Sequence, residues 1–139
     1  MKIKVTSIYV DDQEKALRFY TEVLGLTKKT DFSNGPYRWL TVASPEDPNG
    51  TELQLALNDN PAAKAYQQAI FQQSQPAAMF YTDNLQADYE RMKAAGAEFT
   101  MPPTDVTGVQ TCALPISMVD AVTSVGGIVN CAPLALIRS

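Results

Sequence analysis

The stretch that decides the fold is IYVDDQEKALRFYTEVLGL, residues 8–26. It starts at the end of an alternating segment that predicts a β-strand. After the strand, Asp11 is placed to cap a helix, and Glu14 completes a capping box three residues later. Gly25 ends the helix, since glycine adopts the left-handed backbone at a helix C-terminus without steric cost. A strand that leads directly into a helix with both ends marked predicts a mixed α and β unit.

The residues after this helix predict three more strands. Residues 26–32 and 37–43 form two of them, joined by a turn in which the Asn-Gly dipeptide at 34–35 is a strong hairpin signal. Residues 51–57, TELQLAL, alternate between leucines and mostly polar residues and predict the last strand. The first 59 residues therefore predict one β-α-β-β-β module.

The same pattern then begins again. Residues 60–75 predict a linker helix that starts at an Asn-Pro pair. Residues 76–105 predict a strand (77–84), a helix ending at Gly96, and another strand, AEFTM. Because the two strand-helix units share their caps and spacing, we interpret residues 76–105 as the start of a second module. The alternative is that two such units resemble each other by chance.

Composition narrows the classes of function. The 139 residues are 45% apolar and 19% charged, as in a soluble globular protein. The net charge of -4 argues against a nucleic-acid surface, and no apolar run is long enough to span a membrane. We find no signal-peptide pattern and expect a cytoplasmic protein. The chain has no histidine, and so it lacks the commonest general base and metal ligand.

Residues 8–26, with the hairpin and the repeat, resemble the vicinal oxygen chelate superfamily. This group includes glyoxalase I, extradiol dioxygenases and bleomycin-resistance proteins. The resemblance covers residues 1 to about 105. It implies an α+β fold of paired β-α-β-β-β modules that curve around a cavity, and it implies a homodimer. In metal-dependent members, His and Glu side chains hold a divalent ion that takes two oxygens of the substrate.

The positions that the resemblance assigns to metal ligands carry other residues here. They are Val5, Gln54 and Ala77, and the fourth lies beyond residue 105. A single amide oxygen is a weak donor set for a divalent cation. We therefore expect no cofactor, and a divalent metal only under the alternative of a metal-dependent lyase or dioxygenase.

The resemblance places a cavity between the modules, and its aromatic walls with a few polar groups suit a small organic ligand. The predicted ligand-binding set is Ser7, Tyr9, Trp39, Glu52, Gln54, Met79 and Tyr81. The alternative is that the aromatic residues only fill the core. The sequence does not identify a catalytic residue. Glu52 is a candidate base for a metal-free enzyme, which could use a tyrosine instead, and the alternative is that Glu52 is a solvated residue at a strand end. The favoured function is the binding of a small organic molecule without the usual metal.

Residues 106–117, VTGVQTCALPIS, resemble the translation of a widely used sequencing adapter: residues 106–116 match it throughout, and Ser117 is compatible with it. We therefore expect residues 106–139 to be adapter-derived or out of frame, and the second module to be truncated with an unpaired sheet edge. The alternative is a genuine hairpin around Gly126-Gly127 that takes the place of the missing strands.

Overall fold

A computed structural model describes residues 1–73, 75–106, 109–114, 117–118, 129–130 and 134–138. The first module comprises β1 (Val5–Val10), α1 (Gln13–Arg18) with a π-helical turn (Phe19–Val23), β2 (Thr27–Asn34), β3 (Tyr37–Ala43) and β4 (Glu52–Leu57). The linker helix is α2 (Pro61–Gln72). The second module comprises β5 (Ala78–Thr82), α3 (Leu85–Ala94), β6 (Met101–Val106), β7 (Val109–Leu114), β8 (Ser117–Met118), β9 (Val129–Asn130) and β10 (Leu134–Arg138).

The predicted α+β architecture is confirmed. The first sheet has the order β1-β4-β3-β2, with β1 parallel to β4 and the other neighbours antiparallel. The hairpin between β2 and β3 turns through Gly35, whose positive φ of 60° suits glycine.

One face of this sheet builds the core. Its alternate apolar side chains, such as Ile8, Leu40 and Leu55, pack against the apolar stripe of the first helix. Leu85 and Met92 of α3 belong to the same buried cluster, so one core extends across both modules.

The first helix starts one residue later than predicted. Asp12, not Asp11, is the N-cap, and its carboxylate accepts from the backbone N–H groups of Glu14 and Lys15. With Asp12 as the cap, Glu14 is one residue too early to complete a capping box. The helix ends in a π-helical turn that leads to Gly25, where φ is 82°.

The second sheet has the order β5-β10-β7-β6, with β10 parallel to β5. Strands from the segment expected to be foreign thus occupy the place where an unpaired edge was predicted. That the segment derives from an adapter stays a prediction. The predicted strand AEFTM is wrong except at its last residue, because β6 begins at Met101 and Phe99 instead packs on Tyr89, with ring centroids 4.5 Å apart.

The linker helix is held to the first module by a buried amide. Gln67 is only 3% exposed, and its Nε2 donates to the carbonyl oxygen of Tyr9 at 3.0 Å. The Asn58 side chain donates to Gln67 Oε1. These bonds fix α2 at the C-terminal ends of β1 and β4. In the described part of the chain, no helix is long and apolar enough to cross a membrane.

Candidate functional site

Five of the seven predicted ligand-binding residues share one side of the first sheet. Strand register places Ser7 opposite Gln54 and Tyr9 opposite Ala56, while the residues that alternate with them are buried in the core. We call the side of the sheet away from α1 the open face. Its residues are Val5, Ser7, Tyr9, Phe32, Trp39, Thr41, Glu52, Gln54 and Ala56.

Ser7 and Gln54 form a hydrogen-bonded pair at the centre of the open face. Ser7 Oγ donates to Gln54 Oε1 at 2.6 Å, and the two residues are direct neighbours across β1 and β4. Gln54 is only 8% exposed. The bond holds the Gln54 side chain against Ser7, with the amide oxygen facing the hydroxyl.

Glu52 is buried and fully partnered, so its interpretation as a solvated strand-end residue is wrong. It is 9% exposed, Thr41 Oγ1 donates to its Oε2 at 2.8 Å, and Lys4 Nζ lies 3.4 Å from its Oε1. The backbone N–H of Thr30 donates to Thr41 Oγ1 at 3.1 Å and fixes that hydroxyl. The hydrogen bond from Thr41 and then the charge of Lys4 lower the pKa of Glu52, against the opposing effect of burial.

This environment makes Glu52 a weak base. A general base is most effective when its pKa lies near the working pH, and a lowered carboxyl pKa moves away from that condition. The bonds from Thr41 and Lys4 favour the charged form of Glu52, and its role as a catalytic base stays a prediction.

The other two predicted residues, Met79 and Tyr81, come from β5 in the second sheet. They are 61% and 72% exposed. In the described residues, no hydrogen bond or ring contact joins them to the open face. Tyr81 instead borders a groove of about 540 Å³ between the modules, together with Leu24 and Phe80.

The implied divalent metal does not fit these residues. Of the three positions, Val5 and Ala77 carry no donor atom in their side chains, and the Gln54 oxygen is already bonded to Ser7. No group of three acidic, histidine or cysteine side chains comes together among the residues described. That the protein works without a cofactor stays a prediction.

Sequence reasoning missed three polar residues that shape the site. Thr41 and Lys4 hold Glu52, and the Gln13 side chain bridges β3 and β4 by donating to the carbonyl oxygens of Arg38 and Leu55. The sequence does contain an indication of the role of Thr41, because it is a polar residue between the core residues of a buried strand. No sequence pattern indicates the role of Gln13, since that role depends on how far β3 and β4 separate.

The sequence is similar to one protein family and to individual proteins of known sequence. The family model described as "Glyoxalase/Bleomycin resistance protein/Dioxygenase superfamily" matches residues 2–113. The Bacillus subtilis protein YurT is 53% identical over 104 residues, which are 75% of this chain and 82% of YurT.

Solved structures share the fold over the full length. The crystal structure of UcmS2 matches with a TM-score of 0.79 and 24% identity, covering 100% of this chain and 98% of UcmS2. The structure of TnmS3, described as an antibiotic binding protein from a Streptomyces species, matches with a TM-score of 0.67 and 23% identity, covering 99% of this chain and 95% of TnmS3. At these identities the likeness establishes the fold alone.

Proposed function

Since the chain belongs to the glyoxalase/bleomycin resistance protein/dioxygenase superfamily, we propose that it binds a small organic molecule on its open face without a metal ion. The observation that carries this proposal is the Ser7–Gln54 pair. It stands where a metal-dependent relative would need a charged ligand, and its amide oxygen is committed to a hydroxyl. Glu52, two residues away, is committed to Thr41 and Lys4.

The rest of the open face suits an aromatic ligand. Tyr9 and Phe32 are exposed and Trp39 is half-buried, so the same face carries flat apolar surfaces as well as the Ser7–Gln54 pair. Aromatic side chains combine large contact area with few rotatable bonds, and a few fixed polar groups orient the ligand. That TnmS3, which shares the fold, is an antibiotic binding protein supports this class of ligand.

We place the protein in the cytoplasm as a homodimer. The exposed Met79 and Tyr81 on the second sheet form an apolar surface that a second copy would cover. Sedimentation equilibrium tests the dimer directly, and a monomer at the concentrations used for ligand binding contradicts it.

Fluorescence of Trp39, the only tryptophan, tests the proposed function. Protein treated with EDTA is titrated with a panel of planar aromatic compounds, including aromatic antibiotics. We expect saturable quenching for at least one compound, unchanged when Mn²⁺, Ni²⁺, Zn²⁺ or Fe²⁺ is added. Binding or turnover that appears only with one of these ions contradicts the proposal.

A metal-free enzyme that uses Glu52 is the competing function, and the lowered pKa of that carboxyl speaks against it. The variant Glu52→Gln distinguishes the metal-free enzyme from the binding protein. Loss of turnover with unchanged quenching of Trp39 would identify an enzyme, whereas the proposed binding protein shows no turnover in either form.

A further inference from the structure

The third and fourth strands of the first sheet separate partway along their length. Their register runs only through Thr41↔Gln54 and Val42↔Leu53, so the next pairs are not joined as a ladder. The Gln13 side chain fills part of the gap: its Nε2 donates to Leu55 O at 2.7 Å and to Arg38 O at 3.2 Å. Backbone carbonyls left without a strand partner need another donor, and this amide supplies it.

A small cavity of about 160 Å³ lies at this separation, and we call it the notch. Its lining includes Gln13, Tyr37, Arg38, Gln54, Ala56 and Leu57. An apolar cavity of roughly 150 Å³ is large enough to hold benzene, so the notch has room for one ring or a smaller polar group. It also shares Gln54 and Ala56 with the open face, and a ligand lying on that face can reach into it.

Two amides line the notch with unused hydrogen-bonding groups of opposite kind. Gln13 must direct its nitrogen to the two carbonyls, which leaves Oε1 as an acceptor. Gln54 directs its oxygen to Ser7, which leaves Nε2 as a donor. Neither group has a hydrogen-bond partner within the described ranges of the chain. A buried amide gains most from a ligand that satisfies these groups.

The neighbouring cation is not available to a ligand. Arg38 donates from Nε and Nη2 to both carboxylate oxygens of Asp31 at 2.8 Å, and from Nη1 to Glu14 at 2.5 Å. Arg38 is thus paired with two carboxylates, and among the described residues no other cation lines the notch. Asp59, also in the lining, is exposed and disfavours anions further.

We propose that the notch binds a neutral carboxamide of the ligand, either primary or cyclic, attached to an aromatic ring that lies on the open face. Such a group accepts a hydrogen bond from Gln54 Nε2 and donates one to Gln13 Oε1. This inference rests on the proposed function, because it names the chemical group by which the ligand of that face is recognised.

Benzamide is the probe, with benzoate and toluene as matched compounds that are charged or lack the amide. The ¹H–¹⁵N spectrum of the full chain reports on the side-chain amides of Gln13 and Gln54, which are assigned from Gln13→Leu and Gln54→Leu. We expect benzamide to shift both amide signals saturably, and benzoate and toluene to shift neither. Equal shifts with all three compounds, or none with benzamide, overturn the proposal.

The variants then test the donor itself. Gln54→Leu should weaken benzamide binding about tenfold, as expected for a lost hydrogen bond in a buried site. The control variant Gln68→Leu, which replaces an exposed glutamine on α2, should leave benzamide binding unchanged. A ligand that quenches Trp39 equally in wild type and Gln54→Leu overturns the notch alone, whereas the absence of any saturable quenching overturns the proposed function as well.

Discussion

Glu52 illustrates how one carboxylate is kept charged beside an apolar face. Its folded pKa lies below the ordinary value of 4.5. The stabilisation from its bonds is therefore complete above pH 4.5 and is lost as the pH falls through the lower folded pKa.

Glu52→Gln should lower the free energy of unfolding by about 1 kcal/mol at neutral pH, because the charge-assisted bonds to Thr41 and Lys4 are weakened. The difference from wild type should shrink as the pH falls below 4.5. Urea unfolding of both proteins across this range measures it. A difference that is constant with pH would show that Glu52 is not ionised in the folded protein.

Asp31 makes a second pH-dependent contribution. Hydrogen bonds from Arg38 and then Lys28 lower the pKa of Asp31 to about 2, so its stabilisation is present above the unfolded pKa and disappears as the pH falls towards 2. Since the pair is partly exposed, we expect Asp31→Asn to cost no more than about 1 kcal/mol at neutral pH. The loss should be smaller in high salt, and thermal unfolding at two salt concentrations checks this.

The start of α1 depends on a single cap. Asp12→Ala should destabilise the protein by about 1 kcal/mol, because the N–H groups of Glu14 and Lys15 lose their acceptor. Asp11→Ala is the matched control and should have the smaller effect. Thermal unfolding of both variants decides which aspartate is the cap, and equal losses would contradict the assignment to Asp12.

The buried amide of Gln67 should matter more to the linker helix than its surface residues do. Gln67→Leu leaves the Tyr9 carbonyl without its donor and should cost about 2 kcal/mol. Gln68→Leu, at an exposed position one residue on, should change stability by less than about 0.5 kcal/mol. Hydrogen exchange in α2 should accelerate only in the first variant.

The elements of the first module could be predicted because local signals agree. Alternation in residues 51–57 and the dipeptide at 34–35 each depend only on near neighbours. The exact cap could not be predicted, since Asp11 and Asp12 are the same residue type and adjacent in sequence, and only the structure shows which carboxylate accepts from the helix N–H groups. The strand predicted across AEFTM failed at all but its last residue, since β6 begins at Met101 and the Phe99 ring packs on Tyr89, a contact between distant elements that no local pattern encodes.

The candidate site, too, could be predicted only in part from the sequence. Period-two alternation was enough to place Ser7, Glu52 and Gln54 on one face. The positions of Met79 and Tyr81 could not be predicted, because they depend on how two modules pack. The notch depends on where two strands part, which no local pattern encodes.

The buried residues of both modules form one core, which includes Cys112. The reactivity of the Cys112 thiol tests whether residues after 105 belong to this core in solution. Cys112 is fully buried, and burial together with the charge of Asp88 raises the pKa of its thiol to about 11 from 9.0. Since the thiolate is the reactive form, modification by a thiol reagent should be at least about a hundredfold slower in the folded than in the unfolded protein.

The measurement uses Cys131→Ser, so that only Cys112 can react. Rapid modification of Cys112 in folded protein would show that β7 does not pack into the core in solution. Slow modification, with a single cooperative unfolding transition, would show that this segment folds with the rest.

The parallel pairing of β1 with β4, and of β5 with β10, sets an order of events on the ribosome. In each sheet, the inner strand that pairs with both the first strand and the hairpin is synthesised last. In the first sheet, for example, Gln54 follows its hydrogen-bond partner Ser7 by 47 residues. The hairpin of β2 and β3 can form early, but β1 emerges with exposed edges until β4 follows. Each nascent module therefore passes through an interval in which an unpaired strand edge favours aggregation, and pausing of translation before the inner strand would lengthen that interval.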